Sequence, residues 1–222
     1  MKTLTLSILG ILLLTAYNNP TSESSIYNPV ESQNVVFDFE NSILGKAPLG
    51  WTGYFTGKGD LGKWEILDDN GSNVLAQTSK KNFGYHFDVI VNDESNYKDV
   101  EISVRFKGTD GKEDQGGGPV WRFQDADNYY IARANPLENN YRVYKVIDGN
   151  RKQLDTVNME INSGKWYILK ITMKGDQIKC YFDGELKLEA TDNSFPNTGK
   201  IGLWTKADAV TFFDDLQVSS LK

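Results

Sequence analysis

The sequence predicts an all-β domain made of two antiparallel sheets packed face to face. Three observations carry this. Period-two alternation recurs through the chain, tight-turn dipeptides separate the alternating runs, and helical periodicity is nearly absent after the first residues. About a dozen strands are expected, too many for one flat sheet, so two packed sheets follow.

The chain has 222 residues, and the first segment reads as a targeting signal rather than as fold. Lys2 supplies a positive start, Leu4 to Leu14 an apolar run, and Thr15-Ala16 a small-residue exit. That run is too short for a membrane span, and no other apolar run approaches spanning length. Leu14-Thr15-Ala16 followed by cysteine would be a lipoprotein signal. Tyr17 stands there instead, and a phenol cannot take the thioether-linked lipid. Residues 1–16 are therefore expected to be a signal peptide. Residues 17–33, rich in Asn, Ser, Pro and Glu, are expected to be a flexible spacer. Residues 34–222 remain for a single core, and the product is expected to be exported, periplasmic or extracellular.

Val100, Ile102, Val104 and Phe106 alternate with Asp99, Glu101, Ser103 and Arg105. Tyr167, Leu169, Ile171 and Met173 alternate with Trp166, Ile168, Lys170 and Thr172, and Ile201 and Leu203 with Gly202 and Trp204. Each run is a strand with two faces. Asn70-Gly71, Asp110-Gly111, Asp148-Gly149, Gly175-Asp176 and Asp183-Gly184 are turn signals. Val35 to Glu40 and Thr211 to Val218 both alternate, so the two chain ends are expected to lie side by side.

The formal net charge is −6 and no basic cluster stands out, which argues against nucleic acid or an anionic membrane as partner. Cys180 is the only cysteine, so no disulfide forms within the chain. It shares a face with Ile178 and Phe182, as a buried inert thiol would. His86 is the only histidine, and nothing beside it suggests a metal or nucleophile partner. Asp99 and Glu101 read as the solvated face of a strand rather than as a glycosidase acid pair.

Four segments, in this order, resemble the concanavalin A-like lectin/glucanase superfamily, which includes laminin-G-like domains. They are Gly164-Lys165-Trp166-Tyr167-Ile168-Leu169-Lys170-Ile171, Cys180-Tyr181-Phe182-Asp183-Gly184, Gly199-Lys200-Ile201-Gly202-Leu203-Trp204 and Phe213-Asp214-Asp215-Leu216-Gln217-Val218. The resemblance implies a jelly roll over residues 35–218, a fold that hosts lectins, glycosidases and adhesion modules alike. A second stretch, Gly116-Gly117-Gly118-Pro119-Val120-Trp121-Arg122-Phe123-Gln124-Asp125 with Asp127-Asn128-Tyr129-Tyr130, is similar to the bacterial 3-keto-disaccharide hydrolase-like domains. That resemblance implies glycan metabolism and assigns no catalytic residue.

Sugar sites combine aromatic platforms with planar polar groups that orient hydroxyls. Trp121, Arg122, Tyr129, Arg133, Tyr141 and Trp204 are the candidate ligand-binding residues. Alternation sets Arg122 opposite Trp121 and Phe123. Regular register would then place it on a common face with Arg133, with Tyr129 alongside. Trp204 is expected to stand open. Asp214 falls on an apolar face unless a bulge intervenes, and a buried carboxylate needs a cation or several donors. In this superfamily a structural Ca²⁺ often lies near the paired terminal strands. Asp38, Glu40 and Asp214 are its candidate ligands, the alternative for Asp214 being backbone amides or an arginine. The leading expectation is an exported carbohydrate-binding domain. The rivals are a glycoside or 3-keto-glycoside hydrolase or lyase, and a laminin-G-like adhesion module.

Overall fold

The computed structural model describes residues 34–222. The signal and spacer readings concern residues 1–33 and lie outside the described residues. Fifteen strands run through the described chain, with no α-helix among them. They are β1 (Val35–Phe37), β2 (Trp51–Gly57), β3 (Trp64–Asp68), β4 (Asn73–Gln77), β5 (His86–Asn92), β6 (Val100–Asp110), β7 (Gly117–Asp125), β8 (Asn128–Asn135), β9 (Asn140–Ile147), β10 (Asn150–Asn158), β11 (Tyr167–Lys174), β12 (Gln177–Phe182), β13 (Glu185–Thr191), β14 (Lys200–Lys206) and β15 (Val210–Ser220). They form two antiparallel sheets, as the alternation predicts. One has the order β13-β12-β11-β6-β15-β4-β3, with β1 added on β15; the other has the order β10-β9-β8-β7-β14-β5-β2.

The main core lies between the sheets. Val100, Ile102, Val104 and Phe106 on β6 are fully buried and stand in register with Met173, Ile171, Leu169 and Tyr167 on β11. Ile90, Trp121, Tyr130, Tyr141, Val143 and Leu203 face them from the other sheet. Each such side chain contributes about 1.5–3 kcal/mol by leaving water. Truncating Ile102 to alanine should cost about 2–5 kcal/mol, because the surrounding sheets cannot collapse into the gap. The terminal strands lie side by side: Val35 pairs with Val218 and Phe37 with Leu216.

Two hairpins show why the turn dipeptides were informative. Asp148 and Gly149, between β9 and β10, have φ of 50° and 72°; Asp183 and Gly184, between β12 and β13, have 47° and 83°. Positive φ at both central residues makes the turn whose twist matches the flanking strands, and Asp-Gly tolerates it.

The seven-stranded sheet curls, and its outer face closes over a second apolar cluster. Thr56 at the end of β2 donates to the Ala126 carbonyl in the β7–β8 turn. Tyr85, just before β5, donates to the Gly149 carbonyl at 2.9 Å and accepts from the Arg151 backbone N–H. One corner of the sheet is thus tied to the opposite corner. The concave face is floored by side chains at one end and open to water at the other. No helix of the described residues is long and apolar enough to cross a membrane.

Candidate functional site

Alternation along five strands builds the floor of the concave face. β5 gives Phe87, Val89 and Val91; β7 gives Val120 and Phe123; β8 gives Tyr129 and Ile131; β9 gives Tyr144 and Val146; β14 gives Trp204. Phe87 and Trp204 meet at 5.1 Å between ring centres, and Phe123 stacks on Tyr129 at 5.8 Å. The Trp204 indole N–H donates to the Tyr129 hydroxyl at 3.3 Å, and that hydroxyl shares a 2.8 Å hydrogen bond with Thr56. Burial pushes the Tyr129 phenol well above its usual value, so it stays neutral.

At the open end of the same face the side chains turn polar. Arg133 donates to Asp114 at 3.2 Å, to Glu138 at 2.7 Å and to Asn140 at 2.9 Å. Lys206 donates to the other side of this network through Asp114 at 3.1 Å. Arg142 donates to Glu138 at 3.2 Å and to the Tyr144 hydroxyl at 3.4 Å. Burial alone would raise the Glu138 pKa, but hydrogen bonds and charge from Arg133, with Asn140 and Arg142, outweigh it and hold the carboxyl at about 2. Arg142 and Glu138 keep 29% and 35% of their side-chain surface in water, so this end is reachable.

Arg151 completes the face. It leaves the Asp148-Gly149 turn on the concave side, paired in register with Val146. Its guanidinium lies 4.6 Å from the Tyr144 ring centre, 4.8 Å from Phe87 and 5.8 Å from Trp204. Among the described residues no carboxylate lies within 4.0 Å of it, and its buried Nη1 has no acceptor. Burial draws its pKa below the usual arginine value.

The sequence matches the model of the 3-keto-alpha-glucoside-1,2-lyase-like domain family over residues 45–219. The chain belongs to this family. It is also similar to solved structures that share its concanavalin A-like jelly roll. One is the carbohydrate-binding module CBM66 from Bacillus subtilis, 23% identical, with 77% of this chain and 96% of that one covered and a TM-score of 0.63. Another is the exoplasmic/lumenal domain of VIP36 in its Ca²⁺/Man-bound form, 14% identical, covering 85% and 89%, TM-score 0.60. A third is domain 4 of AbnA, an extracellular arabinanase from Geobacillus stearothermophilus in complex with arabinotriose, 13% identical, covering 85% and 93%, TM-score 0.58. No curated protein matches the sequence.

The fold distributes the six residues singled out as ligand-binding over three environments. Tyr129, Arg133 and Trp204 lie on the concave face. Trp204 does not stand open as expected; it is fully buried, because the curled sheet folds Phe87, Arg151 and Tyr129 around it. Trp121 and Tyr141 lie in the core between the sheets. The Trp121 indole N–H points at the Met173 sulfur at 3.1 Å, and Tyr141 packs edge-on against Phe182.

Arg122 leaves the face it was expected to share with Arg133. The pairing of β7 with both neighbours slips around this residue, and Arg122 takes a left-handed φ of 46°. Such a bulge re-aims one side chain while the strand on either side keeps its facing. The guanidinium, 1% exposed, donates to the carbonyls of Lys98, Phe195 and Gly175 at 2.9, 2.9 and 2.7 Å and to Asp99 at 3.3 Å. It fastens the loops at one end of the sandwich. The glycines before it serve backbone approach: a Cβ on Gly118 would sit 1.9 Å from the Ala132 carbonyl oxygen.

The calcium expectation is not met by the residues proposed for it. A bulge between Asp214 and Gln217 turns Asp214 away from the core, where Arg105 donates to it at 3.0 Å and the Asp215 N–H at 2.8 Å. Glu40 accepts from Ser72 at 2.6 Å, and Asp38 accepts from the Glu40 N–H. Among the described residues no three carboxylate, imidazole or thiolate groups are arranged to hold a metal. His86 is fully buried, its Nδ1 at 2.9 Å from the Lys58 carbonyl and its Nε2 at 3.0 Å from Asp88. Cys180 is buried beside Tyr141, and burial raises its thiol far above the usual range.

Sequence reasoning passed over Arg142, Arg151 and Lys206. The first was legible: Arg142 and Tyr144 alternate with Tyr141 and Val143, so they share the face opposite the core. Arg151 and Lys206 were not, because only the curl of the sheet brings strand ends so far apart in sequence onto one patch.

Proposed function

We propose that the open end of the concave face binds carbohydrate, with Arg142, Glu138 and Tyr144 as its contact groups, Arg151 and Lys206 beside them, and Arg133 behind. One observation carries the reading. One guanidinium, Arg142, donates there to both a carboxylate, Glu138, and a phenol, Tyr144, with Arg142 and Glu138 partly in water above an aromatic floor. Planar groups of both polarities orient sugar hydroxyls, and the buried rings beneath hold those groups in place. The network fixes its members before a ligand arrives, which reduces the ordering cost of binding. The carbohydrate-binding module and the arabinotriose-bound domain of similar fold support a sugar as ligand. The N-terminal signal reading supports action outside the cytoplasm.

The family description also names a lyase. Eliminating the C1 substituent of a 3-keto-glucoside requires a base to take the C2 proton, and an effective base titrates near the working pH. On this face Glu138 is held at about 2, and His86 lies on the other face of β5 with both ring nitrogens engaged. The concave face therefore supports recognition better than elimination.

The test is a glycan array probed with the full chain, followed by titration of the best binder against Arg142→Ala and Glu138→Gln. Loss of about tenfold or more in affinity in both variants, with unchanged circular dichroism, is expected, since each removes a charged group that contacts the sugar. Undiminished binding by both would place the sugar elsewhere.

A further inference from the structure

Resting on the reading above, we propose that the sugar taken by this face carries a carboxylate, as a uronic acid does, and that Arg151 is its counter-charge. Arg133, Arg142 and Lys206 are each within 4.0 Å of a carboxylate: Arg133 with Asp114 and Glu138, Arg142 with Glu138, Lys206 with Asp114 and Glu113. Arg151 has none among the described residues, although it is half-buried over three aromatic rings. Asp208 nearby is held by the backbone N–H groups of Lys112, Glu113 and Asp114, so Arg151 is the cation of this face left, among the described residues, without a carboxylate within 4.0 Å.

A second observation points the same way. Two guanidinium N–H groups here, Arg151 Nη1 and Arg133 Nε, are buried without an acceptor among the described residues. Both belong to side chains packed against one ring, Tyr144, at 4.6 and 6.0 Å. Buried donors are normally satisfied, and two orphans around one ring mark a place where acceptors are missing. The aromatic faces stabilise the cation, but they accept no in-plane hydrogen bond. A carboxylate supplies two coplanar oxygens matched to the guanidinium fork and offsets its charge. A neutral hydroxyl supplies one weaker acceptor and no charge. The site is local: the chain's net charge of −6 disfavours polyanions in general, so selectivity must come from this one guanidinium.

The experiment uses the full chain and calorimetric titration with three probes, oligogalacturonate, oligomannuronate and oligoglucuronate, each beside its carboxyl-reduced neutral counterpart. At least one acid should bind about tenfold or more tighter than its neutral counterpart, with affinity falling as salt rises. Arg151→Gln should bring that pair to near equality, and Arg151→Lys, which keeps the charge but loses the fork, should fall between. Thermal melting of both variants confirms that they are folded. Neutral counterparts binding as well as the acids, or a preference that survives in Arg151→Gln, would overturn the uronate assignment and leave the carbohydrate reading standing. Failure of both acids and neutral sugars to bind, together with a blank glycan array, would remove the carbohydrate reading and this inference with it.

Discussion

The Arg151 guanidinium lies 4.6 Å from the centre of the Tyr144 ring, and that ring is itself 4% exposed. Tyr144 therefore holds the concave face together and supports the cations above it. Tyr144→Ala should lower stability by about 3–5 kcal/mol, as for other buried aromatics, and abolish measurable sugar binding. Tyr144→Phe keeps the ring under Arg151 and loses only the hydroxyl that accepts from Arg142. It should cost about 1 kcal/mol in chemical denaturation and weaken binding several-fold. A Phe variant as damaged as the Ala variant would show that the hydroxyl, rather than the ring, matters most.

Arg122 should behave as a stability residue. Arg122→Ala removes the donor of three loop carbonyls and leaves Asp99 with only the Gly175 N–H, which should cost about 3–5 kcal/mol, the range for breaking a buried charged network. Arg122→Lys should rescue little, because one ammonium cannot span four acceptors in three loops. Urea denaturation at neutral pH measures both. Sugar affinity, measured on the folded fraction, should be unchanged.

How much of this was legible follows from what alternation can and cannot encode. The facing of Val100 to Phe106 and of Tyr167 to Met173 depends only on a period of two, and so does the placement of Arg133 with Tyr129 and Ile131. The paired chain ends followed from the same rule. Arg122 was misplaced because a bulge adds one residue to the count, and nothing in Gly116-Gly117-Gly118 marks where the slip falls. Asp214 was similar; the slip beside it, with Asp215 at a φ of 47°, sends it to Arg105. Trp204 was assigned the right face and the wrong exposure, since the curl that covers it is a property of the whole sheet.

Asp214 provides a pH test. Burial raises its pKa to about 6, above an ordinary 3.8. The folded protein then holds a proton that the unfolded chain releases between those values, so stability should fall as pH rises from about 4 to 6 and level off above. Glu138, lowered to about 2 in the folded state, acts in the other direction and in a lower window: its contribution is present above about 4.5 and is lost as pH falls toward 2. Asp214→Asn should flatten the slope between pH 4.5 and 6 in thermal melts and leave the acid limb intact. An unchanged slope in that variant would assign it to another group.

Tyr129→Phe isolates the hydrogen bonds under the floor. It leaves the Trp204 indole N–H and the Thr56 hydroxyl each short of a partner, and should destabilise by about 1–3 kcal/mol. Differential scanning calorimetry measures this, and a neutral outcome would indicate that a water takes over the hydroxyl's place.

Four of the five tryptophans allow the site to be located in solution. The Trp204 indole lies under the concave face, 5.8 Å from the Arg151 guanidinium. The Trp121 indole lies between the sheets against Met173. Trp51 lines a groove of about 690 Å³ beside β1 with Phe37 and Leu49, and Trp166 packs under Arg105 with its N–H on Asp69. Titrating the ¹⁵N-labelled full chain with the best-binding oligosaccharide, and following the assigned indole N–H resonances, shows whether the sugar sits over the concave face. A saturable shift of the Trp204 resonance is expected, with those of Trp51, Trp121 and Trp166 unmoved. A saturable shift at Trp51 or Trp166 with Trp204 unmoved would contradict it.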